Sequence, residues 1–346
     1  MSMPERLDAA PRAQHAPRVS VIVPVYNAER LLGECLDALR ASDDADYEII
    51  VVDDSSTDRS CEIAAAAACT VVPSGGRLGP AGARNRGAEH ARGDILLFID
   101  SDVIVRPDTL AQVAAAFTAD PTLTGLIAVQ APVMRFRNAC SSYKNLWMYY
   151  TYVRRAGEDV SLFYTTAAAI RRESFLESGG FDRNYTNPNI EDTDFGQKLA
   201  RLGYRVRVAP DLEVEHVKGY DLRGLLRTDF LRAMSLARLK LRKRGDTMGK
   251  NDTSVPTGYI VSMPLAMLAA VLLGIALVTR SGPALLASFL ALATIFVLNL
   301  PFLRVVRTHG GPAGFVVGTV ILFIELLTAG AGGLYGIATF IAGKKY

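Results

Sequence analysis

Two kinds of hydrophobic run alternate along the first half of the chain. Short runs rich in β-branched residues, "VSVIVPVYN" (19–27), "YEIIVVDDSSTD" (47–58) and "DILLFID" (94–100), close on Pro, Asn or acids. Such runs predict buried strands. Between the first two, "AERLLGECLDALRAS" (28–42) sets Leu31, Leu32, Cys35, Leu36 and Leu39 at helical spacing, and Ser60 to Cys69 predicts a further helix. Strands alternating with helices predict an α/β domain whose sheet is largely parallel. Residues 122–218 are less regular. "SSYKNLWMYYTYVRR" (141–155) predicts a helix with an aromatic side, and "IEDTDFGQKLARLGYRVRVAP" (190–210) an acidic helix start, a stop at Gly203 and a strand.

Beyond residue 220 the pattern changes. Leu222, Leu225, Leu226, Phe230, Ala233, Met234, Ala237 and Leu241 share one broad helical face. Arg223, Arg227, Arg232, Arg238, Lys240, Arg242, Lys243 and Arg244 supply positive charge, opposed only by Asp229. Such a helix is either a solvated surface element or one lying on anionic lipid; the apolar segments that follow favour lipid. From Val255 to Leu303 the only charged residue is Arg280, and from Gly310 to Gly343 it is Glu325. A hydrocarbon core takes about 20 apolar residues per helix. Three spans are predicted, at 257–279, 282–303 and 313–342. The third is long for an upright span and is expected to tilt, to bend at Gly330 to Gly333, or to begin as an interfacial piece. A positive-inside bias puts Arg304, Arg307 and the basic helix on the cytoplasmic side, with Arg280 and the last lysines outside, although Lys344 and Lys345 weaken that bias.

These patterns divide the 346 residues into a disordered tail (1–18), an α/β domain (19–220), a basic amphipathic helix and linker (221–255) and a transmembrane region (256–346). The tail lacks a signal-peptide core. A formal net charge of +3 implies no polyanionic partner such as nucleic acid. Cys35, Cys61, Cys69 and Cys140 fit neither a zinc site nor a redox pair, which suits reduced thiols in a domain facing the cytoplasm.

In doubly wound sheets, ligands bind outside the carboxyl ends of the strands. Three predicted strand ends carry polar groups: Tyr26-Asn27, Asp53-Asp54 and Asp100-Ser101-Asp102. Two carboxylates one residue apart suit a hard cation such as Mg²⁺ or Mn²⁺ bound together with substrate phosphates; an isolated pair of this kind is also a common solvated turn. In "IEDTDF" (190–195), Glu191, Asp192 and Asp194 complement a helix dipole, and together they also offer a general base. His216 is a structural residue or a ligand.

Four ordered blocks, "VSVIVPVYNAERLLGECLDAL", "EIIVVDDSSTDRS", "GPAGARNRGAEHARGDILLFIDSD" and "GGFDRNYTNPNIEDTDFGQKLARLGYRV", resemble the family 2 glycosyltransferases of GT-A fold over about residues 18–218. The resemblance implies an inverting transferase that takes one sugar from a nucleotide-sugar donor, a UDP-sugar being favoured. It implies that Pro24, Tyr26, Asn27 and Asp54 line the nucleoside pocket beside Asp53, that Arg84 contacts the base or phosphates, and that Asp100 faces the ribose. Ser101 stands where some members carry an acid, at little cost because the outer acids remain. Asp102, with His216, would hold Mg²⁺ or Mn²⁺ on the diphosphate. Asp192 would be the base, Glu191 would bind acceptor or sugar, and Asp194 would be mainly structural. The QxxRW motif of processive synthases is absent, and the one tryptophan, Trp147, precedes the base. That argues for transfer of one sugar per encounter. A lipid or lipid-linked acceptor in a bacterial cytoplasmic membrane follows from the membrane tail, with polyprenyl phosphate as the alternative acceptor. An inactive membrane scaffold of the same fold and a transporter are the competing classes. Retention of Asp100, Asp102 and Asp192 argues against the scaffold, and a single deep ionisable group, Glu325, against the transporter.

Overall fold

The computed structural model describes residues 18–43, 46–133, 135–136, 138–243, 253–344 and 346. Of the predicted tail at 1–18, all but Arg18 lies outside the described residues, as do Arg244 and Lys345. The chain opens with β1 (Val19–Val25), α1 (Leu32–Arg40), β2 (Tyr47–Asp53), α2 (Ser60–Ala66), β3 (Thr70–Pro73), α3 (Gly79–His90) and β4 (Ile95–Ile99). It continues through β5 (Val103–Ile104), α4 (Thr109–Ala119), β6 (Gly125–Gln130), α5 (Ala139–Val153), β7 (Ala167–Arg171), α6 (Arg172–Glu177), α7 (Glu191–Arg201) and β8 (Val206–His216). Three long helices follow: α8 (Leu222–Arg242), α9 (Thr257–Thr279) and α10 (Gly282–Ile341).

The sheet runs β3-β2-β1-β4-β7-β6-β8-β5. Its first four strands are parallel, as the alternating pattern predicts. Its second half is mixed, because β7 lies antiparallel to both β4 and β6. Alternation along each strand sends Ile22, Val52 and Phe98 to one core and Val21, Val51 and Leu97 to the other. Helices cover both faces, which is why these strands read as continuous apolar runs. β1 lies between β2 and β4, so strand order reverses about it, and the crevice of a doubly wound sheet opens at its carboxyl end. Gly87 lets α3 sit close on that half of the sheet, since a Cβ there would stand 2.4 Å from the Ile22 side chain.

Helix α9 and the first limb of α10 form an antiparallel hairpin. Asn299 Nδ2 donates to Ser262 Oγ at 2.8 Å, and Ser288 Oγ to the Ala269 carbonyl at 2.9 Å. The base of the hairpin packs on the aromatic side of α5, where Trp147 meets Tyr259 at 4.6 Å and Phe302 at 5.0 Å. Its outer length exposes Val271, Val278, Leu286, Phe289 and Val297. Both α9 and α10 are long and apolar enough to cross a membrane by length and composition.

The third apolar stretch departs from expectation in two ways. The break falls at Gly311 (φ 65°), just before Pro312, and the helix runs unbroken through Gly330 to Gly333. A left-handed φ followed by a residue without an N–H ends the helical ladder there. The second limb then lies along α8. Cβ atoms at Gly332 and Gly336 would stand 2.4 Å from the carbonyl oxygens of Phe230 and Met234, so the two backbones touch. The end of the chain returns to the α/β domain, where Tyr346 Oη donates to Asp182 Oδ2 at 3.1 Å and the Tyr346 carbonyl accepts from Arg238 at 2.7 Å. Lys344 is therefore on the side of the α/β domain, not across a bilayer from it.

The basic helix is corrected as well. Arg238 is buried and bonds Thr339 Oγ1 at 2.8 Å, while Arg242 and Lys243 pair with Asp194. Asp229 is buried against Lys144 of α5. Half of the expected lipid-facing charge turns inward, because α8 is sandwiched between the α/β domain and α10. Arg223, Arg227 and Lys240 stay exposed.

Candidate active site

The carboxyl ends of β1, β2 and β4 open into a cavity of about 480 Å³. Asp54, just past β2, is 2% exposed. It accepts from Arg77 Nη1 at 2.5 Å, Leu78 N at 2.7 Å and Gly79 N at 2.8 Å, which fixes the start of α3. The Arg77 guanidinium lies over the Tyr26 ring, 3.2 Å from its centroid. Tyr26 and Arg77 thus form a flat, cationic wall at the mouth of the cavity. Pro24, Asp54, Arg84, Asp100, Ser101 and Asp102 line it as well. Asn27 and Asp53 are not among the lining residues. Asn27 Oδ1 accepts from Thr57 N at 2.8 Å and Asp53 Oδ1 from Ser56 N at 3.1 Å, so both hold the turn after β2.

Arg84 differs most from its expected part. It is 3% exposed, and its two terminal nitrogens reach Asp100 Oδ1 at 2.7 Å and Glu191 Oε1 at 3.0 Å. Burial works against its charge, and the two carboxylates outweigh that, holding its pKa above the ordinary value. Arg84 is a tie between the donor-side strand end and the helix that carries the acids.

Asp102 and His216 stand together because β5 pairs with β8, with Val103 opposite His216. His216 Nε2 is 3.3 Å from Asp102 Oδ1. On the other side of the ring, Nδ1 is 2.8 Å from Gln130 Nε2, and Gln130 also reaches Tyr164 Oη at 2.8 Å. With the Gln130 amide nitrogen donating to Nδ1, the ring proton is on Nε2 and faces Asp102; the opposite amide orientation would free the Nε2 lone pair for a metal. Burial raises the Asp102 pKa, and the His216 hydrogen bond and the charges of His216 and Lys218 more than offset it, keeping the carboxyl below its usual range. Among the described residues no group of three His, Cys, Asp or Glu side chains could enclose a metal. One carboxylate and one imidazole at an open cavity suit a divalent ion that draws its remaining ligands from phosphates and water.

The acids of "IEDTDF" separate by environment. Asp194 is bonded by Tyr185 Oη at 3.0 Å, Arg242 at 2.9 Å and Lys243, which ties α7 to α8. Asp192 is 8% exposed and faces the cavity. Burial pushes its pKa up to about 6, Glu191 adds to the shift, and Arg232 and Arg84 oppose it. Phe195 anchors the same helix among Phe163 (5.2 Å) and Phe181 (4.5 Å).

Residues 20–179 match the family described as glycosyl transferase family 2. The chain carries a family 2 glycosyltransferase domain. A mannosyltransferase from Pyrobaculum calidifontis, solved in complex with GDP-Man and Mn²⁺, is 27% identical with a TM-score of 0.63, covering 91% of this chain and 90% of that one. A poly(ribitol-phosphate) beta-glucosyltransferase from Bacillus spizizenii is 38% identical over 104 residues, 27% of this chain and 16% of its own. A PGL/p-HBAD biosynthesis glycosyltransferase from Mycobacterium bovis is 38% identical over 109 residues, 29% of this chain and 41% of its own. The chain spans less than half the length of these two relatives. Arg232, Thr228 and Leu231 complete the cavity from α8, outside the residues that match the glycosyltransferase family. Sequence reading assigned that helix to lipid and missed them. Asp229, the lone acid in a basic helix, was the available signal that one face turns inward. Arg77 and Gln130 were missed too.

Proposed function

We propose that the protein is a membrane-attached inverting glycosyltransferase that moves one sugar from a nucleotide-sugar donor to a hydroxyl of a lipid or lipid-linked acceptor. The observation that carries this reading is Asp192, a buried cavity-facing carboxylate whose pKa is raised to about 6, in the same cavity as Asp100 and Asp102. A general base works best with a pKa near the working pH. In this reading Asp192 takes the acceptor hydroxyl's proton, the oxygen forms its bond to the anomeric carbon, and the bond to the donor's diphosphate breaks on the opposite face. Tyr26 and Arg77 hold the base of the donor, and Arg84 holds Asp100 and Glu191 in register. Asp102 and His216 would hold a divalent metal ion that neutralises the departing diphosphate. A phosphate acceptor fits less well: it needs no base, and its charge would meet Asp192 and Glu191.

A panel of UDP- and GDP-sugars with extracted membrane lipids tests the reading. GDP-mannose is the first donor to try, because the mannosyltransferase of similar fold was solved with it, and UDP-sugars follow from the sequence reading. Sugar transfer that needs Mg²⁺ or Mn²⁺ and is lost in Asp102→Ala is the expected result. Full transfer by that variant with EDTA present sinks the metal assignment, and no turnover of any donor sinks the enzyme.

A further inference from the structure

Beside the catalytic cavity, a second and apolar depression runs between α8 and the second limb of α10. Leu222, Leu226, Phe230 and Leu231 line one side and Thr328 the other, with Arg223 and Arg227 at the edge. Thr328 gives its hydroxyl hydrogen to the Ile324 carbonyl at 2.9 Å, so its polar atom is satisfied within its own helix. Leu222 and Leu231 are exposed despite their size. One end of the groove closes where Gly332 brings α10 against the Phe230 carbonyl. At the other boundary, Leu231 lines both the groove and the catalytic cavity, and Thr228 and Arg232, one turn of helix apart, face the cavity. An apolar groove that shares the Leu231 wall with a polar cavity beside the base fits a ligand with one apolar and one polar end.

We propose that this groove holds the hydrocarbon chain of the lipid acceptor, which enters the cavity past Leu231 and presents its hydroxyl to Asp192. The inference rests on the transferase reading above and adds to it where the acceptor's chain lies. Three observations select lipid over a protein helix or a second copy. The groove and the cavity meet at Leu231, which lines both. Its rim carries Arg223 and Arg227, which match anionic head groups. It adjoins the exposed apolar stripe of α10 at Val316, Val317, Val320, Ile324 and Leu327, which stays in the same medium.

The test uses the full chain in phosphatidylglycerol vesicles containing a trace of a long-chain diazirine alcohol. Light-driven labelling at Leu222, Leu226 and Phe230 is expected, together with labelling of the hairpin near Val278. Thr328→Trp fills the groove from the α10 side, and Leu226→Trp from the α8 side. Either is expected to remove groove labelling and keep hairpin labelling. Groove labelling that survives both substitutions, or that never exceeds labelling at Val316 and Val320, overturns the proposal. A second measurement takes the share of transferred sugar that extracts with lipid rather than appearing as free sugar in water. That share is expected to fall by about tenfold or more in both variants, the scale set by blocking an apolar subsite, and an unchanged share overturns the proposal. A wild-type chain that is labelled in the groove but turns over no donor supports a chain-binding groove and sinks the transferase reading, so the two failures are distinct.

Discussion

At the scale of single residues, the site turns on how burial sorts identical side chains. Asp192 and Asp194 sit two positions apart, yet Asp194 is neutralised by Arg242 and Lys243 while Asp192 faces the cavity. Asp192→Asn is expected to cut transfer by about 10²-fold or more while donor binding survives. If Asp194→Asn is the crippling change, the base is misassigned. With the folded pKa raised from 3.8 to about 6, the transfer rate should fall as pH drops through about 6 and the carboxylate protonates. Stability runs the other way. The folded state binds the proton more tightly than the unfolded one, so this residue's cost to stability is absent below about pH 4 and grows as pH rises through about 6. Asp192→Asn should therefore be more stable than wild type at neutral pH, by about 1–3 kcal/mol. Denaturant titrations across that window check it, and a less stable Asn variant contradicts it. Asp54, Asp100 and Asp102 were legible in the sequence because each follows an apolar run that could only be a strand. The part played by Arg84 was not, since its two carboxylate partners, Asp100 and Glu191, are 16 and 107 positions away.

At the scale of elements, α8 is the piece that sequence reading misplaced. Its amphipathic pattern is real, but periodicity reports that one face is apolar and not what covers it. The covering is α10, and the fit depends on glycine. Gly332→Val should drive a side chain into the Phe230 carbonyl, destabilising the α8 to α10 contact by about 1–3 kcal/mol and loosening Arg232 from the cavity. Gly333→Ala, next to it, meets nothing within 4 Å and should raise thermal stability slightly, since Gly inside a helix costs about 0.5–1 kcal/mol relative to Ala. Equal melting of the two variants would falsify the close contact. Beside Glu325 of α10, Lys144 and Asp229 form a buried pair. Lys144→Met strands the Asp229 carboxylate and should cost about 3–5 kcal/mol, whereas Lys144→Met combined with Asp229→Leu should recover most of that loss. In the first half, β1, α1, β2, α2 and β4 were readable close to their ends, whereas β3, α3 and α4 were not predicted. The second half of the sheet was not readable either, because β7 inserts between β4 and β6 and nothing local in "AAAIR" announces the reversal.

At the scale of the whole molecule, the apolar helices and the α/β domain share one core. Tyr143, Trp147 and Phe302 belong to the same buried cluster as Ile22 and Phe98. A chain cut after Tyr220 keeps every residue of the donor side but uncovers the aromatic face of α5 and leaves Lys144 without Asp229. A donor half able to fold alone would bind nucleotide in plain buffer; the structure predicts that this fragment aggregates instead. Gel filtration in the absence of detergent decides between them. Attachment to vesicles should also resist salt. If α8 held the protein by charge alone, raising the ionic strength to about 1 M, where screening acts over about 3 Å, would release it. Because Arg238, Arg242 and Lys243 are engaged internally and the hairpin is apolar, flotation of the full chain with vesicles should persist at that salt. Release would show that the hairpin does not insert.

The contact of Gly332 and Gly336 with α8 also bears on the order in which this protein is made. Helix α8 contributes Arg232 to the cavity wall, and besides its ties to α5 and α7 it is covered by the limb of α10 translated about a hundred residues later. A nascent chain that has emerged only as far as α8 has a complete donor half and an unfinished acceptor half. The cavity is therefore expected to gain its finished α8 wall only after the apolar hairpin between α8 and the second limb has been made.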